Sequence, residues 1–143
     1  MMKKNRLASD YPFDFELIGI VSSVKEYKLA WHLNQLPEFH LIKAEDIKIE
    51  FSDNKLIRVS NLKDENEFRQ AFLLKNKLVT SNSSINQYLL PELQQFDYLF
   101  KLNSQTHDDW AREVNNMLKS IEIIDYSLVV DIEKIKMKDN LLF

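Results

Sequence analysis

Two carboxylates and a phenol, Glu92, Asp97 and Tyr98, fall within seven residues of one another, directly after Pro91. Such a group has two uses. The carboxylates and the hydroxyl can converge on a partner as a recognition site, or each can satisfy backbone groups nearby, as polar groups in folded chains normally do. Pro91 fixes φ and withholds an N–H, so it ends a short strand and starts a turn. Glu92 is then placed to accept the backbone N–H groups of that turn. Asp97 and Tyr98 enter a strand on opposite faces. The structural reading is favoured over recognition.

Other chemistries leave weaker traces. His32, Glu38 and His40 are spaced H-x5-E-x-H, but Pro37 breaks the helix that would carry them. A metal site needs three or four convergent ligands, and this spacing does not supply them. His107 falls at the start of a helix, where the dipole disfavours its imidazolium. The serines cluster in Ser81-Asn82-Ser83-Ser84 without a G-x-S-x-G elbow. Adjacent carboxylates at Glu45-Asp46, Asp64-Glu65 and Asp108-Asp109 point different ways on a strand or helix, which makes them solvated surface or caps. The single glycine, Gly19, excludes phosphate-cradling loops, which need several. Inside a strand it marks a bulge or the close approach of another group. With no cysteine, disulfides, thiolate metal sites and cysteine nucleophiles are excluded. Nothing in the chain calls for a cofactor.

The stretch Leu90-Pro91-Glu92-Leu93-Gln94-Gln95-Phe96-Asp97-Tyr98 resembles the signature of the IPExxxVDY family of small bacterial proteins. Leu90 stands for the usual isoleucine and Phe96 for the usual valine. The opening Asp14-Phe15-Glu16-Leu17, the mid-strand Gly19 and the closing Lys138-Asp139-Asn140-Leu141-Leu142-Phe143 agree with it, so the resemblance covers most of the chain. It implies a shared fold and singles out Pro91, Glu92, Asp97 and Tyr98. It brings no mechanism.

Composition bounds the class. A chain of 143 residues with 45% hydrophobic and 29% charged residues fits one soluble domain. The net charge of -3 provides no basic field to draw DNA or anionic lipid. The basic start Met1 to Arg6 lacks a following apolar region, which argues against an export signal. No stretch approaches the ~18 apolar residues of a membrane span. A cytoplasmic protein is expected, with residues 1–12 as a flexible leader and 13–143 as a single domain.

Periodicity then places the elements. Alternation predicts a strand over about 13–21. A helix follows from Val24 to Leu36, capped by Ser23 with Glu26, its stripe formed by Leu29, Leu33 and Leu36. A hairpin spans Ile47 to Val59 around Ser52-Asp53-Asn54-Lys55. Asn61 to Glu67 reads as a loop or one helical turn, and 68–75 as a strand. Gln87 to Leu90 is a short strand, and Phe96, Tyr98, Phe100 and Leu102 line one face of another. A second helix runs from Asp108 to Ser120, capped by Thr106, with Trp110, Val114, Met117 and Ile121 apolar. A last strand covers 122–130 with Ile124, Tyr126, Leu128 and Val130 inward. Trp31 and Trp110 read as core anchors.

Two helices cannot cover both faces of a large sheet. The expected fold is an α+β two-layer sandwich, a mostly antiparallel sheet with both helices on one face. The first topology is a ferredoxin-like core with an inserted hairpin; a profilin-like or longin-like arrangement is second. The three apolar residues Leu141, Leu142 and Phe143 are expected to dock, on this domain or on a partner, because burying each is worth about 1.5–3 kcal/mol. Function is read mainly from what is missing. The leading reading is an interaction module that binds a protein partner or forms a homo-oligomer. A small-molecule sensor or small enzyme with a site between helix and sheet is the alternative. RNA binding by Tyr98 and Phe100 is a disfavoured third, since Lys101 alone could supply a phosphate contact there.

Overall fold

The computed structural model describes residues 14–50, 56–78, 87–105 and 109–143. The expected leader 1–12, Phe13, the turn Ser52 to Lys55, the serine cluster, Thr106 and His107 lie outside these residues.

In chain order the elements are β1 (Glu16–Val21), α1 (Glu26–Leu33), β2 (Ile42–Lys43), β3 (Ile47–Glu50), β4 (Leu56–Val59), β5 (Asn61–Glu65), β6 (Arg69–Lys75), β7 (Lys77–Leu78), β8 (Gln87–Tyr88), β9 (Tyr98–Ser104), α2 (Trp110–Leu118) and β10 (Tyr126–Val130). Single 3-10 turns occur at Pro91–Leu93, Ile132–Lys134 and Lys138–Leu141. Six strands form one sheet in the order β10-β1-β9-β6-β5-β2. Every neighbouring pair is antiparallel. β1 and β6 are therefore parallel with β9 between them, and β9 and β10 are parallel with β1 between them. This is the ferredoxin-like split β-α-β arrangement, extended by β5 and β2 and with the β3–β4 hairpin inserted after α1.

Both helices lie on one face. Leu29 and Leu33 of α1 and Trp110, Val114 and Leu118 of α2 share a cluster with Ile18, Ile20, Leu73, Phe100 and Leu102 of the sheet. The opposite face is also covered. Leu17, Phe72, Leu74 and Leu99 pack there against Ile49, Ile57 and Val59 of the hairpin, Leu90, Leu93 and Phe96 of the turn, and Ile135 and Leu141 near the end of the chain. A sheet with apolar residues on both faces needs this second cover, and a hairpin with two irregular segments supplies it.

Several sequence expectations change in the structure. α1 begins at Glu26, and its N-cap Lys25 makes no side-chain cap bond. The expected Ser23–Glu26 capping box does not form, because the Glu26 carboxylate accepts from Ser60 Oγ at 2.7 Å. Trp31 is exposed, not a core anchor. It sits two residues from both Leu29 and Leu33, which at 100° per residue turns it away from their stripe. Asn61 to Glu65 is a strand and not a loop. Its polar side chains hid it, but the β6 edge supplies its hydrogen-bond ladder, and the buried Asn61 amide donates to the Glu45 carbonyl at 2.6 Å. The last strand starts at Tyr126; Tyr126 and Leu128 are exposed, and Ser127 is buried instead. β10 is an edge strand, and the second cover does not reach its outer side chains.

α2 is held at its start from β1. The Ala111 N–H donates to Glu16 Oε1 at 3.1 Å, placing a carboxylate at the positive end of the helix. The N-cap position is Asp109, with φ of 59° and no side-chain cap bond. Trp110 is buried; its Nε1 donates to Glu38 at 3.1 Å, and Arg69 lies over its ring at 4.5 Å.

Gly19 permits the close approach of the Phe96 ring in the second layer. A Cβ at that position would meet three ring carbons of Phe96 at 2.5, 2.6 and 2.6 Å. Gly19→Ala is expected to destabilise the protein by about 1–3 kcal/mol through overpacking. The double variant Gly19→Ala/Phe96→Leu should lose less than the sum of its singles, read from urea denaturation midpoints.

Candidate functional site

The segment from Leu90 to Tyr98 is organised by a residue the motif does not include. Asn76, fully buried between β6 and β7, donates through Nδ2 to the carbonyls of Leu93 at 2.9 Å and Phe96 at 3.0 Å. Its Oδ1 accepts the Leu90 N–H at 2.9 Å. Its backbone N–H donates to the Asp97 carbonyl, and its carbonyl accepts from Leu89. One amide side chain thus satisfies three backbone groups of a turn that has no ladder of its own.

Each polar residue of the motif is engaged by backbone of this chain. Asp97 Oδ2 accepts the Ser22 N–H at 2.9 Å. The Tyr98 hydroxyl donates to the Val24 carbonyl at 2.6 Å, tying β9 to the approach of α1. Burial, then the Glu26 and Asp97 carboxylates, push this phenol up to about 12. Glu92 does not cap its own turn as expected. Its Oε1 accepts the N–H groups of Lys136 at 2.7 Å and Met137 at 2.9 Å. Pro91 is exposed and opens the 3-10 turn. The motif side chains are brought near one another in sequence but point to three separate places.

Glu92 leads to the segment 131–143, which closes over the sheet face opposite the helices. Asn140 Nδ2 donates to the Leu89 carbonyl at 2.9 Å. Leu141 is fully buried in this domain's own second cluster, whereas Leu142 and Phe143 are 42% and 46% exposed. The Phe143 ring meets Phe72 edge-on at 5.2 Å.

Beneath that segment lies Lys101, which the sequence offered only as a phosphate contact in the disfavoured RNA reading. It sits mid-strand on β9 between Leu17 and Phe72 and is only 6% exposed. Its ammonium donates to the Leu141 carbonyl at 2.6 Å. Three phenylalanine rings surround it: Phe143 at 3.9 Å, Phe15 at 5.0 Å and Phe72 at 5.3 Å from Nζ. Burial among these rings pulls its pKa down to about 8, opposed by the field of Asp14. The signal in the sequence was alternation alone: Lys101 follows Leu99 onto the face where Leu17 and Phe72 are its cross-strand neighbours.

The rings tested for base stacking are not at the surface. Tyr98 and Phe100 are 3% and 0% exposed, beneath the helices. His32, Glu38 and His40 do not converge: Glu38 is engaged with Trp110 and Arg69. No cluster of metal-ligating side chains occurs among the described residues. No helix among them is long and apolar enough to cross a membrane.

Comparison of the chain with protein-family models, with curated proteins and with solved structures gives no match.

Two predictions follow from these contacts. Glu92→Ala leaves the amides of Lys136 and Met137 without their acceptor, and should cost about 0.5–2 kcal/mol, the scale of a lost cap. Hydrogen exchange should quicken at those two amides while the Leu93 and Phe96 amides stay protected.

The second prediction concerns pH. Lys101 titrates near 8 when folded and near 10.5 when unfolded. Between those values the unfolded chain holds a proton the folded one has lost, so stability rises with pH. Tyr98 acts oppositely: between 10 and about 12 the folded chain keeps the proton, and stability falls. Melting temperatures of wild type and Lys101→Met, compared from pH 7 to 10, should converge as pH rises. The variant lacks the ammonium whose burial weakens the wild type at the acid end.

Proposed function

We propose that the protein is a non-enzymatic, cytoplasmic interaction module that takes an extended segment of a partner protein onto the free edge of β10. The observation that carries this reading is the edge itself. β10 pairs with β1 on one side, and no other described strand pairs with it. Its residues Tyr126-Ser127-Leu128-Val129-Val130 include no charge, and Tyr126, Leu128 and Val129 are exposed. Sheet edges are ordinarily blunted by charge, proline or brevity. The opposite edge, β2, follows that rule with two residues only. β10 does not, and such an edge suits recognition by strand addition.

Charge favours a different protein over a second copy. Exposed Asp125 and Asp131 bracket the strand. A two-fold pair centred on Leu128 would set each Asp125 against the other copy's Asp131, which is repulsive at both ends. An apolar strand with lysine or arginine at each end meets the same groups favourably. The packed interface of Ile18, Ile20, Leu33, Phe100 and Val114 supports this reading over a ligand site between helix and sheet. On its Leu90–Tyr98 stretch we also propose membership of the IPExxxVDY family.

The test is a titration with a synthetic peptide of five alternating valines and threonines between two lysines. Backbone amide resonances of 126–130 should shift, and Leu128→Lys should weaken binding at least ten-fold. A peptide with glutamates at its ends should bind more weakly. Dimerisation abolished by Leu128→Lys would assign the edge to a second copy instead. No shift at β10 with either peptide would overturn the reading.

A further inference from the structure

Independently of the β10 edge, we propose that Lys101 is a covered amine nucleophile. It forms a Schiff base with an uncharged aldehyde or ketone when Leu142 and Phe143 lift from the sheet.

The geometry supports this in three ways. First, the amine's hydrogen bond among the described residues goes to a neutral partner, the Leu141 carbonyl, and three phenylalanine rings lie within 5.3 Å of it. A lysine placed only for stability would ordinarily meet a carboxylate, because a buried charge without one is costly. Second, the floor is rigid and apolar. Lys101 stands in a cross-strand row with Phe72 of β6 and Leu17 of β1, both buried. Phe15, Phe72 and Phe143 would exclude water and accept the apolar body of a carbonyl compound. Third, the outer part of the cover is loosely held. Phe143 and Leu142 are each about half exposed while Leu141 beside them is buried, so the ring nearest the amine can move with Leu141 in place.

The charged groups on the elements around the cage are Asp14 ahead of β1, Lys63 across the Phe72 ring on β5, and Lys138 and Asp139 on the closing segment. Asp14 is the carboxylate whose field reaches the amine. The chemistry balances without a further reagent. The neutral amine nitrogen attacks the carbonyl carbon, and the carbonyl oxygen takes up a proton as the nitrogen loses one. The carbinolamine then expels its hydroxyl as water, leaving C=N. One water is released, and nothing is oxidised or reduced. Desolvation in an apolar pocket is a recognised way to keep a lysine nucleophilic.

The competing surface lysines set the measurement. With its pKa near 8, Lys101 is about one-tenth free base at pH 7, against roughly one part in 3,000 for an ordinary lysine. The full chain is incubated at pH 7 with propanal and sodium cyanoborohydride, which traps imines as alkylamines. Modification is read at each lysine by peptide mass mapping. Lys101 should label at least ten-fold faster than the exposed Lys28 and Lys119, and Phe143→Ala should raise its rate several-fold further. Lys101→Met should lose that adduct while remaining folded. If Lys101 stays unlabelled in both wild type and Phe143→Ala while Lys28 and Lys119 react, the proposal is overturned. Labelling of Lys101 only in denaturant would overturn it equally.

Discussion

Strand β9 is buried on both faces, and the two covers of the sheet answer to those two faces. Tyr98, Phe100 and Leu102 need one cover, Leu99 and Lys101 another. Helices meet the first need, since their stripes of Leu29, Leu33, Trp110 and Val114 match the flat apolar rows of a sheet. The second face receives a hairpin, a turn and the closing segment. Beyond the hairpin, side-chain burial there comes from segments whose backbone lacks a continuous ladder.

That choice shifts the problem to backbone polar groups. An irregular cover over an apolar sheet must satisfy its amides and carbonyls individually, or lose about 1–3 kcal/mol for each left unpaired. Asn76 serves Leu90, Leu93 and Phe96; Asn140 serves Leu89; Glu92 serves Lys136 and Met137. The Leu90–Tyr98 stretch is therefore a structural clamp in which turn and closing segment brace each other. Its residues meet steric and hydrogen-bonding demands of this fold: Phe96 lies against Gly19, and Asp97 and Tyr98 hold the loop between β1 and α1.

The two proposed sites lie at opposite ends of one connected piece of chain. β10 runs along the sheet edge, and the residues after it cross the second face to reach Lys101. The second cover leaves Tyr126 and Leu128 outside at the β10 margin. Over the central strand β9 it closes the Lys101 cage with the buried Leu141 and the half-exposed Phe143.

Much of the architecture was legible from local pattern. Alternation located β1 and β9, the 3.6-residue period located both helices, and the helix count required them to share a face. The signature stretch and the approach to Gly19 were also visible as local features. What tertiary structure decided was everything that depends on a neighbour. Asn61 to Glu65 became a strand because β6 offered an edge. Tyr126 and Leu128 turned outward in exposure because β10 is at the margin of the sheet. Glu92 found its partners 44 and 45 residues away, where no local rule could place them. Lys101 carries an ordinary side chain in an ordinary alternating pattern, and only the arrival of Phe15, Phe72, Phe143 and the Leu141 carbonyl makes its environment unusual. Periodicity reports which way a side chain points; burial and titration depend on what lies opposite, and the fold alone supplies that.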